Sequence, residues 1–321
     1  MPVTESSSRK LRTGLASAAV CAATALTFSS AAPAQADEGP KLREGGVAQA
    51  LWNYVSSPGA VPGANDWSCK PSAAHPEPVV LLPGTFFNFG ANFVKTAPRL
   101  KNAGYCVYAM NYGFTSSSLG RAGGLGPNRE SAAQLDAFVD KVLASTGTKK
   151  VNIIGHSLGG NVPMWWMKKM DGARKVDKYV GWAPSSHGSN LDGIVDLGAK
   201  LNLMGFVNHL ADVGRFPGVV EQASTSDYIR EMWADGDTVP DGPRYTVVMT
   251  KYDAVVTPYA TQALKGKDVD NVVLQDKCPT DRAGHMGLFN DDPTLQITMN
   301  ALAGGPADFK PVCRGFGLQL L

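Results

Sequence analysis

The chain has 321 residues, of which 44% are hydrophobic and 18% charged. This composition is typical of a globular protein with a sizeable core and excludes an intrinsically disordered chain. The formal net charge is only +2 and there is no basic stripe, so we expect no nucleic-acid partner. Beyond the N-terminal region, no segment has 18 uninterrupted apolar residues, so we expect a soluble protein with no integral membrane segment.

The first 36 residues have the pattern of a secretory signal peptide. A basic stretch at positions 9–12 precedes an apolar, alanine-rich run at 15–28, and an A-x-A cleavage site follows at 34–36. We therefore expect cleavage after Ala36, export by the general secretory route and an extracellular location. The mature protein, residues 37–321, has a length that suits one domain, and cleavage brings its net charge to zero.

Four cysteines remain after the predicted cleavage: Cys69, Cys106, Cys278 and Cys313. An even number of cysteines in an exported chain predicts two disulfides, and four cysteines allow three pairings. We favour Cys69–Cys106 and Cys278–Cys313, because each pair is close in sequence and flanks predicted core strands. The chain has no C-x-x-C pair, so these cysteines do not predict a metal site.

Strand-like runs alternate with helix-like runs along the mature chain. The predicted strands are residues 78–82, 105–111, 150–155, 178–183, 245–250 and 271–275. Several are rich in unbroken β-branched residues, which suits strands buried on both faces of a parallel sheet. An amphipathic helix with Leu135, Phe138, Val139 and Val142 on one face precedes the third strand and should end near Gly147. The alternation predicts an α/β fold with a mainly parallel sheet.

Two segments interrupt this alternation. Residues 112–128 are rich in glycine and serine, and we interpret them as a surface loop beside the carboxyl edge of the sheet. Residues 190–241 contain a long apolar stretch without clean strand signals. This second segment is either a small helical cap over a pocket or a set of packed helices, and both interpretations stay open at this point.

The sequence Gly155-His156-Ser157-Leu158-Gly159 matches the motif G-x-S-x-G and lies between a predicted strand and a predicted helix. This is the context of a nucleophile elbow, a strained turn that projects a serine hydroxyl over the sheet edge and requires small residues two positions away on either side. We therefore predict that Ser157 is a nucleophile. His156 occupies the variable position of the motif, and we expect it to point elsewhere.

A serine hydroxyl needs a base, and in this arrangement the triad runs along the chain in the order serine, acid, histidine. His285 follows the last predicted strand and is the expected base, with His187 as the alternative; the other role for His187 is to hydrogen-bond a loop under the site. Asp253 follows the penultimate strand and is the expected acid, with Asp276 and Asp281 as alternatives near His285.

A serine that attacks a carbonyl carbon also needs two preorganised N–H donors for the oxyanion that forms. The first should be the N–H of Leu158, directly after the serine. The second should come from the Pro83-Gly84-Thr85 turn after the first strand, either from the Thr85 N–H, with its hydroxyl as an extra donor, or from Phe86.

Several segments together resemble secreted bacterial triacylglycerol lipases of the α/β-hydrolase superfamily, the class 2 lipase type. They span about residues 66–293 and read PVVLLPGTFFNFGANF, GYCVYAMNYG, KVNIIGHSLGGNVPMWWMKK, TKYDAVVTPY and LQDKCPTDRAGHMGLFNDDP. The resemblance implies an α/β-hydrolase fold with helices on both faces of the sheet, and carboxylester hydrolysis by Ser157, Asp253 and His285 without a cofactor. Many close relatives carry glutamine where this chain has Leu158, but only the backbone N–H of that residue is needed.

Apolar residues are plentiful near the expected site and favour an acyl chain over a charged substrate. They are Phe86, Phe87, Phe89, Phe93, Trp165, Trp166, Leu203, Met204 and Phe206. We expect an ester or lipid substrate and transient contact with a lipid–water interface, although the tryptophan pair is also compatible with packing of the elbow helix. Two alternatives stay open: a depolymerase of aliphatic polyesters with the same triad, and an inactive binding module on this fold.

Overall fold

A six-stranded, entirely parallel sheet organises the computed structural model, which describes residues 40–203 and 216–319. The strands are β1 (Val79–Leu82), β2 (Val107–Ala109), β3 (Val151–His156), β4 (Val176–Trp182), β5 (Arg244–Met249) and β6 (Val269–Val273). Their order across the sheet is β2-β1-β3-β4-β5-β6. All six overlap the predicted strands, so the predicted α/β fold with a mainly parallel sheet is confirmed.

The helices lie mostly between the strands along the chain. They are α1 (Val47–Ser56), α2 (Phe89–Asn92), α3 (Thr96–Asn102), α4 (Asn128–Thr146), α5 (Leu158–Lys169), α6 (Asp192–Leu203), α7 (Pro217–Val220), α8 (Asp227–Met232), α9 (Leu274–Lys277) and α10 (Asp292–Leu302). Helix α4 ends at Gly147, as predicted, because this glycine adopts φ 75° and its N–H bonds the carbonyl of Leu143. No helix within the described ranges is long and apolar enough to cross a membrane.

Two apolar clusters cover the two faces of the sheet. Because side chains alternate along a strand, Val80 and Leu82 pack with α4 and α5 in one cluster, whereas Val79 and Leu81 pack with α1, α3 and α10 in the other. These strand residues are fully buried. Burial on both faces explains why the strands read as continuous apolar runs rather than as alternating ones.

The strand order reverses direction between β1 and β3. The chain passes from β1 outward to β2 and then returns to the other side of β1 to form β3 and the remaining strands. At such a reversal the loops after the two neighbouring strands leave in opposite directions and open a crevice at the carboxyl edge of the sheet. The turn after β1 and the elbow after β3 both face this crevice.

The segment from residue 190 to 241 divides between two environments. Ile194 of α6 and Val219 of α7 belong to a third apolar cluster with Phe86, Val255 and Met286 at the carboxyl edge of the sheet. Helix α8 instead packs against α5 in the first cluster. Of these helices, only α6 and α7 are therefore placed where a cap over the site could lie. Helix α8 is a packed helix of the core, which is the other interpretation of this segment.

Several sequence predictions fall outside the described residues. The predicted signal peptide, residues 1–36, is one of them and stays a prediction, as does the site-lining role expected for Met204 and Phe206. The interpretation of residues 112–128 as a surface loop is wrong for its second half, because residues 122–126 are buried. There the glycines allow the loop to pass beneath the turn after β1.

The structure contains the two favoured disulfides. Cys69 and Cys106 are joined with an S–S distance of 2.05 Å, and Cys278 and Cys313 with one of 2.03 Å. The second bridge anchors a C-terminal strap, residues 311–319, against the loop that contains His285. The Gly284 N–H donates to the carbonyl of Leu318 at 3.0 Å.

The two disulfides provide a matched comparison, because they join residues that are 37 and 35 positions apart. Loop-closure entropy therefore predicts that removing either bridge by paired Cys→Ser substitution lowers the free energy of unfolding by about 3–4 kcal/mol. Only the loss of Cys278–Cys313 should also release the strap and speed hydrogen exchange at the Gly284 amide. Thermal unfolding and amide exchange measure both effects, and equal exchange at Gly284 in the two variants would contradict the anchoring role.

Candidate active site

Ser157 lies in a strained turn between β3 and α5. Its backbone has φ 55° and ψ −123°, a region that side-chain-bearing residues rarely adopt, and its N–H donates to the carbonyl of Trp182 at 2.8 Å. A Cβ added to Gly155 would lie 2.0 Å from the carbonyl oxygen of Gly159, and one added to Gly159 would lie 2.2 Å from that of Leu82. Both glycines are therefore required by close backbone contact, as the elbow motif predicts.

Asp253 and His285 form a buried hydrogen-bonded pair. The Nδ1 atom of His285 lies 2.8 Å from Oδ2 of Asp253, and both side chains are almost completely buried. The same Asp253 oxygen accepts from Nε2 of Gln262 at 2.8 Å, and Oδ1 accepts the N–H groups of Val255 and Val256 at 2.8 Å each. Four donors thus hold the carboxylate, which fixes the imidazole and leaves its Nε2 facing away from the acid.

The alternative acids do not contact His285. Asp276 is exposed and pairs with Lys251 at 2.6 Å. Asp281 is buried but turns back on its own loop, where its Oδ1 accepts the Ala283 N–H at 2.8 Å. Among the three candidate aspartates, the geometry brings only Asp253 to the histidine.

The alternative base, His187, lies in a different environment. Its Nδ1 is 2.8 Å from the carbonyl oxygen of Thr261, its Nε2 is 2.7 Å from Oδ1 of Asp237, and its ring stacks on Trp233 at 4.5 Å. Both ring nitrogens are engaged in holding loops together. This is the structural role that the sequence suggested for His187 if it is not the base.

His156 does not point away from the site as expected. Its Nε2 lies 3.1 Å from the carbonyl oxygen of His285, its Nδ1 lies 3.1 Å from Oδ1 of Asn92, and the two imidazole rings are 5.0 Å apart. Burial, with His285 nearby, lowers the pKa of His156 to about 3, so this ring is neutral at ordinary pH. The sequence motif leaves this position variable, and it could not show that the side chain of His156 contacts Asn92 and the backbone of His285 beneath the elbow.

The turn after β1 lies directly beside the serine. A Cβ added to Gly84 would be 3.1 Å from Cβ of Ser157. The Phe86 N–H already donates to the carbonyl of Gly123 at 2.9 Å, whereas the Thr85 N–H has no acceptor among the described residues. The N–H of Leu158 is also available, since it belongs to the first residue of a helix. Of the two candidates in this turn, Thr85 therefore has the free donor.

Gln222 holds the side chain of Thr85 from the opposite side. This glutamine is fully buried, and its Nε2 donates to Oγ1 of Thr85 at 3.0 Å and to the carbonyl of Gly218 at 2.9 Å. Its Oε1 accepts from Oγ of Ser185 at 3.2 Å. Because Oγ1 of Thr85 accepts this bond, its own hydroxyl proton is free to be donated elsewhere.

Sequence reasoning missed Gln222 and Gln262. Gln222 lies 137 positions from Thr85, and Gln262 lies nine positions from Asp253 in a segment without a recognised motif. A buried glutamine has no periodicity of its own, so only the fold shows which group it contacts. The glycine-rich composition of residues 112–128 was a usable signal, because Gly124 lies so close to the Thr85 turn that a Cβ there would be 3.1 Å from Cα of Thr85.

The apolar residues expected near the site have different locations. Phe86 and Phe87 belong to the cluster at the carboxyl edge, whereas Phe89 and Phe93 pack in the core beneath the sheet. Trp165 and Trp166 do not line the site. Trp165 stacks on Tyr228 at 4.5 Å, and the Trp166 indole N–H donates to Asp136 at 2.8 Å. Both tryptophans pack the elbow helix, in line with the alternative that the sequence left open.

Comparisons with known proteins identify a family and a fold that the chain shares. A family described as Lipase (class 2) matches residues 76–298. Aspergillus fumigatus lipase B is similar in structure, with a TM-score of 0.60 and 19% identity over 77% of this chain and 56% of that one. A metagenome-derived lipolytic enzyme has a TM-score of 0.52 and 12% identity over 76% and 99% of the two chains. At these identities the likeness concerns the fold, and the chain spans little more than half the length of the Aspergillus protein.

A pair of buried aspartates supports the loop that carries His285. Asp281 and Asp291 are both fully buried and interact with each other, and Asp291 also accepts the N–H groups of Thr294 and Gly317. Burial, with Asp291 beside it, raises the pKa of Asp281 to about 6. The folded protein therefore binds a proton at Asp281 more tightly than the unfolded chain does.

This pair predicts a pH-dependent stability. A raised carboxyl pKa stabilises the fold at pH below about 4, and that contribution is lost as the pH rises through about 6. Asp281→Asn keeps the acceptor for Ala283 and is neutral at every pH. Its melting temperature should therefore match that of the wild type at pH 4 and exceed it above pH 7. Asp276→Asn is the control, because it should show no such gain, and a pH-independent difference for Asp281→Asn would contradict the linkage.

Proposed function

The chain belongs to the class 2 lipase family, and we propose that it is a serine carboxylester hydrolase acting on acyl esters such as triacylglycerols through a Ser157–His285–Asp253 triad. One observation carries the proposal. The His285–Asp253 pair, the strained Ser157 elbow and the Thr85 turn all lie at the carboxyl edge of the same parallel sheet. The order serine, acid, histidine along the chain and the buried His285–Asp253 pair support a triad.

In the proposed acylation step, Oγ of Ser157 attacks the ester carbonyl carbon. Nε2 of His285 takes the serine proton as the new C–O bond forms, and Asp253 stabilises the resulting imidazolium through Nδ1. The negative charge on the former carbonyl oxygen is held by the N–H groups of Thr85 and Leu158 and by the Thr85 hydroxyl. Collapse of the tetrahedral intermediate breaks the bond to the alcohol, which leaves with the proton from His285.

The second half of the reaction reverses these roles. Water gives a proton to Nε2 of His285 and attacks the acyl-enzyme at the same carbonyl carbon. The oxyanion forms again at the same donors, and the bond to Oγ of Ser157 breaks as His285 returns the proton to the serine. The products are a carboxylic acid and the free enzyme, and the cycle needs only groups that the chain itself supplies.

The surroundings of the site support an acyl substrate. Phe86, Ile194, Val255, Val256 and Met286 belong to the apolar cluster at this edge of the sheet. Such a lining suits a hydrocarbon chain better than a charged group. We also propose that the protein is secreted, since the signal-peptide pattern and the two disulfides both favour an oxidising compartment.

Ser157→Ala tests the nucleophile. We expect hydrolysis of a soluble short-chain ester to fall by more than about a thousandfold, with an unchanged melting temperature, because the base would have no hydroxyl to activate. A fluorophosphonate probe should label the wild type at Ser157 and leave the variant unlabelled. Substantial residual hydrolysis by the variant would contradict the mechanism, and an unlabelled, inactive wild type would favour a binding module.

Substrate class requires a separate comparison of a soluble ester, an emulsified long-chain triglyceride and a film of an aliphatic polyester. We expect turnover of the emulsion at a rate that rises sharply above the solubility limit of the triglyceride. Turnover of the soluble ester without the emulsion would indicate an esterase. Preference for the film would indicate a polyester depolymerase.

Thr85 and Gln222 test the oxyanion site. Thr85→Val keeps the backbone N–H and the side-chain shape but removes the hydroxyl, so kcat should fall by about 10–100-fold, whereas Thr85→Ser should retain most activity. Gln222→Leu should lower kcat less, because the hydroxyl remains but loses its orientation.

A double-mutant cycle separates this effect from general damage to the fold. If Gln222 acts through the Thr85 hydroxyl, adding Gln222→Leu to Thr85→Val should cause little further loss of kcat. Fully additive losses would show that Gln222 has no specific role in orienting Thr85.

A further inference from the structure

Helix α1 carries an apolar stripe on its exposed side. Ala48, Leu51, Trp52 and Val55 are spaced at i, i+3, i+4 and i+7, and all four are exposed. Trp52 is 68% exposed, Leu51 50% and Val55 43%. This spacing normally marks the face of a helix that packs on a core, yet the core-facing residues of α1 are Ala50, Asn53 and Tyr54.

Helix α1 adjoins the oxyanion turn, by which we mean the Pro83-Gly84-Thr85 turn after β1 that is proposed to hold the oxyanion. Tyr54, which lies between Leu51 and Val55 in the helical register, donates its hydroxyl to the carbonyl of Phe86 at 2.9 Å. Its ring meets the half-buried ring of Phe87 edge-on at 5.8 Å, and its carbonyl accepts from Nδ2 of Asn88 at 3.2 Å. Helix α1 is therefore fixed, through its core-facing Tyr54, to the three residues that follow Thr85.

The charge of α1 indicates which kind of partner surface the stripe could bind. Helix α1, VAQALWNYVS, contains no charged residue. Arg43 and Glu44 lie at the edge of the stripe, where they line the same cavity as Trp52, and Glu44 is paired with Arg99, so the charge lies beside the stripe and not on it. A basic face would be expected for binding to anionic headgroups. An uncharged stripe with an exposed tryptophan instead suits a neutral lipid–water boundary, where the indole ring can bury its apolar body and keep its N–H in water.

A second apolar segment borders the same turn. Phe114 and Leu119 are exposed in the loop whose Gly123 accepts the Phe86 N–H, and Nδ2 of Asn88 donates to the carbonyl of Arg121 in that loop at 2.7 Å. The exposed apolar side chains on α1 and on this loop are thus attached to the same few residues.

We propose that the outer face of α1, formed by Leu51, Trp52 and Val55, docks the enzyme on the surface of neutral acyl-lipid droplets and holds the oxyanion turn at that surface. The proposal rests on the lipase function proposed above. It assigns interface binding to a helix that is exposed in the structure and anchored beside the site, rather than to a movement of α6 and α7. The acyl ester would then reach Ser157 directly from the droplet.

Adsorption measured without catalysis tests this docking surface. In a Ser157→Ala background, Leu51→Gln/Trp52→Gln/Val55→Gln should require at least about tenfold more triolein droplet surface for half-maximal binding, because three large apolar side chains lose their buried area. Glutamine keeps the helix propensity of the positions. Flotation of the droplets separates bound from free protein.

The control removes exposed apolar residues elsewhere. Met170 and Val312 are 37% and 53% exposed, and Met170 ends α5 about 20 Å from Ser157. Met170→Gln/Val312→Gln should leave adsorption unchanged. In the active background, the ratio of triolein hydrolysis to soluble-ester hydrolysis should fall at least about tenfold for the α1 variant and stay constant for the control.

Three results would overturn the proposal. One is equal adsorption of the α1 variant and the wild type, and another is equal loss in the control. The third is a wild-type dimer in sedimentation velocity that the α1 substitutions dissociate, because the stripe would then bind a second copy of the chain. A wild type that hydrolyses neither ester would count against the proposed function instead, and adsorption of the Ser157→Ala protein would still decide the docking surface.

Discussion

The close approach of three backbone segments at the elbow is the constraint on which the site depends. Gly155 meets Gly159, and Gly159 meets the end of β1, at distances that leave no room for a Cβ. This contact brings the start of α5 against both β3 and the turn after β1. The serine and the start of the helix are consequently held beside the turn after β1, and a methyl group at either glycine would push these segments apart.

The strain at Ser157 is maintained by interactions on both sides of it. The N–H of Ser157 is fixed by Trp182 of the neighbouring strand, while His156 is held below by Asn92 and by the backbone of His285. A residue in an unfavourable region of φ and ψ persists only when its surroundings determine it in this way. The loop that carries His285 is thus connected to the elbow through the residue before the serine, independently of any contact made by the serine hydroxyl.

Buried polar side chains perform the remaining positioning. The carboxylate of Asp253 receives four hydrogen bonds, so its burial beside His285 does not leave an unsatisfied charge. Gln222 and Gln262 reach Thr85 and Asp253 respectively from segments that are distant or lack a motif. These contacts explain why the sequence suggested Thr85 and Asp253 as candidate site residues but not the glutamines that contact them. A motif records local backbone geometry, whereas a glutamine partner is determined by tertiary packing.

The same distinction applies to the fold. The strands were predictable because β-branched runs buried on both faces leave a continuous signal, and α4 was predictable from its apolar period and its terminal Gly147. The tryptophans of α5 were ambiguous, since an apolar residue near a motif can line a site or fill a core. Their contacts with Asp136 of α4 and Tyr228 of α8 show that they belong to the core.

The stripe on α1 is the opposite case, because its helical period would predict burial and the structure leaves it exposed. Among the residues that the structure describes, this periodic apolar face has no partner, and that observation is the basis of the proposed docking surface. Because Tyr54 joins α1 to the residues that follow Thr85, the proposed docking on an ester-bearing surface would also bring the Thr85 turn to that surface.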